Sequence, residues 1–140
     1  MPATAPVAPA IDGAPVTDEL AVLDAYVSAW NTAEADRRAR ILAGCWGPEA
    51  TYTDPTVELC GAAALDEHIA GRRLARPGSV IEILGEVRRH HRWATFAWRV
   101  NSGGEIPVSG IDCVEFAPDG RLARVVGFFD QVGVAQQETQ

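Results

Sequence analysis

The chain has 140 residues, 47% of them hydrophobic and 22% charged, a length and composition that suit one globular domain and exclude a disordered chain. With 19 Asp and Glu against 12 Lys and Arg, its formal net charge is −7. A nucleic-acid partner needs a basic face to neutralise phosphates, and the longest basic cluster, Arg72, Arg73 and Arg76, reads as a solvated helix face instead.

Residues 1–16 are rich in Pro and Ala, without period, and read as a disordered arm. They lack a basic start and a continuous apolar stretch, so no signal peptide is expected. No run of about 18 apolar residues occurs anywhere, so no membrane span is expected and the cytoplasm is the default compartment. Cys45, Cys60 and Cys113 match no metal or redox spacing and read as reduced thiols.

The folded domain is expected over 17–132, with 133–140 a polar tail. Thr17 offers an N-cap ahead of acidic Asp18 and Glu19, and Leu20, Leu23, Val27 and Trp30 recur at helical spacing with Tyr26 beside them. A second helix is expected over 33–45, with Ile41, Leu42 and Cys45 apolar and Gly44, Gly47 and Pro48 closing it. A short β-like stretch, 50–53, stops at Asp54-Pro55. A third helix, 61–74, carries Ala64, Leu65, His68, Ile69 and Leu74 and ends at Pro77-Gly78.

Beyond that point the period changes to two, and strands are expected over 79–90, 92–101, 106–116 and 121–130. The order predicts an α+β fold, a cone-shaped domain of three N-terminal helices packed on a curved antiparallel sheet of four to five strands. In the last strand both parities are largely apolar: Ala123, Val125, Gly127 and Phe129 on one, Leu122, Val126 and Phe128 on the other. One face can take the helices and a pocket, so the other predicts a homodimer through the outer sheet face.

Two carboxylates stand out by their surroundings. Asp54 ends ATYTDP before a rigid proline. Asp112 sits in mid-strand in VSGIDCVEF, on the parity of Val108, Gly110, Val114 and Phe116. A carboxyl group in such a place must be paired, for example with Arg99, or exposed, or protonated; buried there, its pKa rises and it can donate a hydrogen bond near neutral pH. His68 faces the apolar stripe of its helix, as a satisfied core residue or as a partner of Asp54. His90 and His91 mark a turn. No metal, phosphate-loop or nucleophile-elbow motif is present, so a mechanism without cofactor is expected.

The order helix, helix, ATYTDP, a helix beginning GAAALDEHI, then strands containing GIDCVEFAPDGRLARVVGFF resembles the SnoaL-like and ketosteroid-isomerase branch of the nuclear-transport-factor-2-like superfamily, over about residues 18 to 132. The resemblance implies Asp54 as general base, with Tyr26 and a protonated Asp112 as the pair holding an enolate oxygen. It also implies a hydrophobic small-molecule substrate of polyketide or steroid type, for which this chain offers Trp30, Trp46, His68, Phe96, Trp98 and Phe129 as candidate pocket walls. The chain departs from the isomerase at Ile69, where that family has a supporting tyrosine, and in its aromatic walls. Three functions follow: proton transfer beside a carbonyl (allylic isomerisation or aldol cyclisation), a non-catalytic ligand-binding or dimerising domain, and epoxide hydrolysis by Asp54, Asp112 and Arg99.

Overall fold

The structure, a computed structural model, describes residues 18–101 and 108–130. The expected arm (1–16) and tail (133–140), and the start of the strand placed at 106, lie outside the described residues.

Three helices lead the chain. Helix α1 (Glu19–Trp30) is capped by Asp18, whose carboxylate accepts from the Leu20 amide at 3.0 Å; this residue takes the role expected of Thr17. Its buried side is Val22, Leu23, Tyr26 and Ala29, while Leu20 is exposed. Helix α2 (Ala35–Cys45) runs straight into strand β1 (Trp46–Asp54), which is longer than the 50–53 stretch expected. Strand β2 (Val57–Cys60) adds to the strands that the sequence pattern marks. It pairs antiparallel with β1 through a tight turn in which Asp54 and Val57 face each other. Helix α3 (Ala62–Ala75) follows Gly61, which takes a positive φ of 92° at the sharp entry.

Strands β3 (Val80–His90), β4 (Trp93–Asn101), β5 (Val108–Phe116) and β6 (Leu122–Phe129) form the antiparallel meander. The sheet has six strands, in the order β2-β1-β6-β5-β4-β3. It is antiparallel except where β1 lies parallel to β6. That one pairing brings the end of β1, and with it Asp54, beside Val126 and Gly127 of β6.

One sheet face carries the core: Tyr52, Phe96, Trp98, Val114, Phe116 and Val125 are buried against Val22, Leu23, Leu42, Leu65 and Ile69 of the helices. Leu122 shares the parity of exposed Phe128 yet is fully buried, because a register shift between Glu115 and Phe116 turns it inward. Two polar clamps fix the helices. Arg38, buried at the start of α2, pairs with Asp66 of α3 and donates to Thr32 O at 2.9 Å. Asn31 binds the backbone of Ile81 both ways, at 2.9 and 2.7 Å, and so ties the end of α1 to the edge strand β3. No helix among the described residues is long and apolar enough to cross a membrane.

Candidate active site

Between the helices and the concave sheet face lies a pocket whose lining includes Tyr26, Trp30, Tyr52, Asp54, His68, Phe96, Trp98, Asp112 and Phe129. The three residues expected to do the chemistry therefore meet in one cavity, although they come from α1, β1 and β5. The sheet register explains how. Asp112 faces Gly127 across the β5–β6 ladder, and Thr53, next to Asp54, faces Val126 across β1–β6. Asp54, Gly127 and Asp112 thus sit side by side on three adjacent strands. A methyl group added at Gly127 would lie 2.9 Å from Asp112 Oδ1 and 3.7 Å from Asp54 Cβ, so glycine there leaves the room that both carboxyl groups occupy.

The two acids differ in what surrounds them. Asp54 forms the β1–β2 turn: its Oδ1 accepts from the amide of Thr56 at 2.7 Å, the hydroxyl of Thr56 at 2.7 Å and the amide of Val57 at 3.1 Å. Its Oδ2 accepts the Tyr52 hydroxyl at 2.7 Å. Burial alone pushes its pKa up, but the hydrogen bonds from Tyr52, Thr56 and Val57 outweigh that and hold it below the ordinary carboxylate value. Asp54 is an anion at neutral pH.

Asp112 is 8% exposed and receives one strong hydrogen bond, from Trp98 Nε1 to Oδ1 at 2.8 Å. Desolvation dominates; with the Trp98 bond opposing it and the Asp54 charge reinforcing it, the pKa is pushed up to about 7. Because Oδ1 accepts from the indole, the proton of the neutral acid belongs on Oδ2, free to be donated to a ligand oxygen. Gly110 makes this geometry possible: a methyl group there would come within 2.6 Å of the Trp98 ring. The pairing with Arg99 considered from sequence does not occur. Arg99 lies on the outer face and pairs with Glu82 at 2.7 Å, which removes the arginine from the Asp54, Asp112 and Arg99 set needed for epoxide hydrolysis.

Tyr26 is fully enclosed, and its pKa is raised by burial first and by the nearby Asp112 charge next, so its phenol stays a neutral donor. His68 Nε2 stands 3.8 Å from Asp54 Oδ2. Desolvation lowers the His68 pKa despite the Asp54 charge, with Arg72 adding to the lowering, so the imidazole is neutral at pH 7. Trp30, Tyr52 and His68 pack ring on ring at 5.7–5.8 Å and form one wall. Trp98 and Phe129 meet edge to face at 5.9 Å in another.

Trp46 is the exception among the expected wall residues. It lies outside the pocket lining, buried behind Tyr26 and stacked on it at 5.8 Å, where it positions the phenol's ring and is out of reach of a ligand. His90 and His91 are exposed at the β3–β4 hairpin, away from the pocket lining. Sequence reasoning missed Tyr52 and Thr56; Tyr52 shares the parity of Asp54 two residues on, which was the available signal. The basic cluster of Arg72, Arg73 and Arg76, expected to be a purely solvated face, instead lines the pocket with all three residues. Among the described residues no group of three His, Cys, Asp or Glu side chains is placed to hold a metal ion.

Comparison with known proteins agrees with this architecture. A comparison with curated proteins finds no match. Among solved structures, a protein of Agrobacterium tumefaciens provisionally described as an isomerase of the SnoaL-like family superposes with a TM-score of 0.75 at 29% identity, over 80% of this chain and 97% of that one. A protein of Sinorhizobium meliloti, provisionally described as a polyketide cyclase, shares the fold with a TM-score of 0.63 at 18% identity, covering 79% of this chain and 98% of that one. A nuclear-transport-factor-2-like protein of unknown function from Exiguobacterium matches with a TM-score of 0.66 at 17% identity, over 79% of this chain and 99% of its own. The model of the SnoaL-like domain matches residues 23–125, a span that runs from α1 into β6 and takes in Tyr26, Asp54, His68 and Asp112. On that match the chain belongs to the SnoaL-like domain family, and it shares its fold with the nuclear-transport-factor-2-like protein of Exiguobacterium.

Proposed function

We propose that this chain is an enzyme that moves a proton at a carbon next to a carbonyl group in a hydrophobic small molecule, without a cofactor, by allylic isomerisation or aldol cyclisation. The observation that carries the reading is the pairing of an ionised Asp54 with an Asp112 whose burial keeps it protonated up to about pH 7, across Gly127 in one aromatic pocket. A proton abstraction of this kind needs an acceptor at the carbon and donors where negative charge develops on the oxygen. Asp54 Oδ2 supplies the first; Asp112 Oδ2 and the Tyr26 hydroxyl supply the second. The descriptions of the Agrobacterium and Sinorhizobium proteins as isomerase and polyketide cyclase support the class.

The lowered pKa makes Asp54 a weak base in the empty pocket; an apolar ligand that displaces water from it strengthens the base by removing solvation. His68 is a second candidate for the acceptor, because a neutral imidazole 3.8 Å from an ionised carboxylate is poised to take a proton and be stabilised by that charge.

The test is hydrogen–deuterium exchange at the carbon beside the carbonyl, followed by NMR for a panel of apolar ketones and enones in heavy water. Catalysed exchange that disappears in Asp54→Asn, with phenols binding as enolate mimics, is the expected result. A panel showing neither exchange nor phenol binding contradicts the reading and favours a non-catalytic binding domain.

The proposal includes a homodimer, in the cytoplasm, through the outer sheet face. Leu84, Ala97, Ile111 and Phe128 face one another in register across β3, β4, β5 and β6, and Ile111 and Phe128 are exposed. Light scattering should give twice the chain mass for the protein and a single chain mass for Phe128→Glu.

A further inference from the structure

Three arginines stand at a pocket otherwise built for an apolar molecule. Helix α3 presents His68 and Arg72 to the pocket four residues apart, so Arg72 lies about 6 Å further along the helix, and Arg76 follows at its C-cap. His68 is beside Asp54; Arg72 is therefore about one turn away from the proposed reacting carbon, on the same lining stripe.

The ordinary reason for arginines at a helix C-terminus is the helix dipole and solvent, and Arg72 and Arg73 do occupy the last turn. Arg73 has a structural role besides. Its Nη1 donates to the backbone oxygen of Trp30 at 2.8 Å and of Ser79 at 3.3 Å, locking α1, α3 and the start of β3 together. Arg72 is not engaged in this way: its backbone oxygen accepts the Arg76 amide at 3.0 Å, but among the described residues its side chain forms no hydrogen bond or ion pair. Neither pocket carboxylate takes an arginine as donor, since Asp54 is filled by Tyr52, Thr56 and Val57 and Asp112 by Trp98. Yet the Arg72 charge reaches inward far enough to act on Tyr52 and on His68. A positive charge directed along a pocket wall, with its guanidinium donors unused, is complementary to an anion brought by the ligand.

We infer that the substrate of this pocket is a carbonyl compound bearing a carboxylate about one helical turn from the reacting carbon, and that Arg72 is the residue that binds that carboxylate. The inference rests on the proposed proton transfer, which locates the reacting end at Asp54 and Asp112. It assigns Arg72 to binding and orientation and gives it no part in the proton movement.

The test uses para-hydroxyphenylpropanoate and its methyl ester, two phenols that differ only in the remote charge, with binding read by tryptophan fluorescence or calorimetry. The full chain should bind the acid about twofold to fivefold more tightly than the ester at low salt, an advantage that shrinks as salt is added. Arg72→Gln, at an exposed position, should fold normally and bind acid and ester alike, with the ester's affinity unchanged; Arg72→Lys should restore part of the preference. Equal binding of the two ligands by the unaltered protein, or a preference that survives in Arg72→Gln, overturns the inference and leaves the proton-transfer reading standing. Binding of neither ligand overturns the inference, and the proton-transfer reading falls with it only where the ketone panel shows no exchange.

Discussion

The tip of β1 and the middle of β5 each place an aspartate in the same pocket, and they treat it in opposite ways. At the β1 tip the chain turns back within two residues, so backbone amides and a threonine hydroxyl are available to Asp54, and Tyr52 adds a further donor. In the middle of β5 every backbone donor is committed to the ladders with β4 and β6, and Asp112 has a single indole for company. Turns release donors and strand interiors consume them. Local backbone geometry thus decides which carboxyl group is the anion and which the acid, though the two are neighbours on one sheet face.

The contrast between the two acids is lost most completely when the anion is removed. Asp54→Asn keeps an oxygen for the Thr56 and Val57 amides and should fold, but proton-transfer turnover should fall by about 10²–10⁴-fold, as measured with any substrate that shows exchange. Asp112→Asn removes the acidic donor and should lower turnover by about 10²–10³-fold. In the unaltered protein, activity needs Asp112 protonated, so kcat/KM should decline as pH rises through about 7, and that decline should vanish in the variant.

The same variant should alter stability. The Asp112 pKa is raised from 3.8 to about 7 in the folded protein, so its favourable contribution is complete below 3.8, erodes between the two values and is gone above the upper one. Chemical denaturation across that window should show the unaltered protein losing stability relative to Asp112→Asn, by at most about 4 kcal/mol, with the difference levelling off above about pH 7.

A finer adjustment comes from the donors. Trp98→Phe takes away the bond that favours the Asp112 carboxylate, and the alkaline decline in kcat/KM should move upward. Tyr52→Phe takes one of four donors from Asp54; its pKa should rise toward the ordinary value, and the fold should lose about 1 kcal/mol. Carboxyl titration by NMR reads both.

Much of this was legible in the sequence, for reasons tied to particular residues. The two-residue period of VSGIDCVEF fixes the face of Asp112 whatever the sheet's order, and the proline after Asp54 marks a turn. The helical stripe holding His68 is equally readable, and continuing it by four residues would have brought Arg72 to the pocket. Other features depend on partners far away in the chain. Val57–Cys60 is too short to announce itself as a strand and exists because β1 pairs with it. The parallel contact of β1 with β6 has no local signature, yet it is what puts Asp54 next to Gly127. Leu122 changes face through a register shift that no parity count contains. Trp46 looks like a pocket wall by composition, and only packing shows it to be the backing of Tyr26.

The division of the two aspartates into anion and acid is tested most directly by a carbon-13 carboxyl titration of the ligand-free protein, with Asp54→Asn and Asp112→Asn to assign the signals. One aspartate should titrate near pH 7, its signal lost in Asp112→Asn, and another should stay ionised below the ordinary carboxylate value, its signal lost in Asp54→Asn. Two aspartates that both titrate near 3.8 would contradict that division, because the pocket would then hold two anions and no acid.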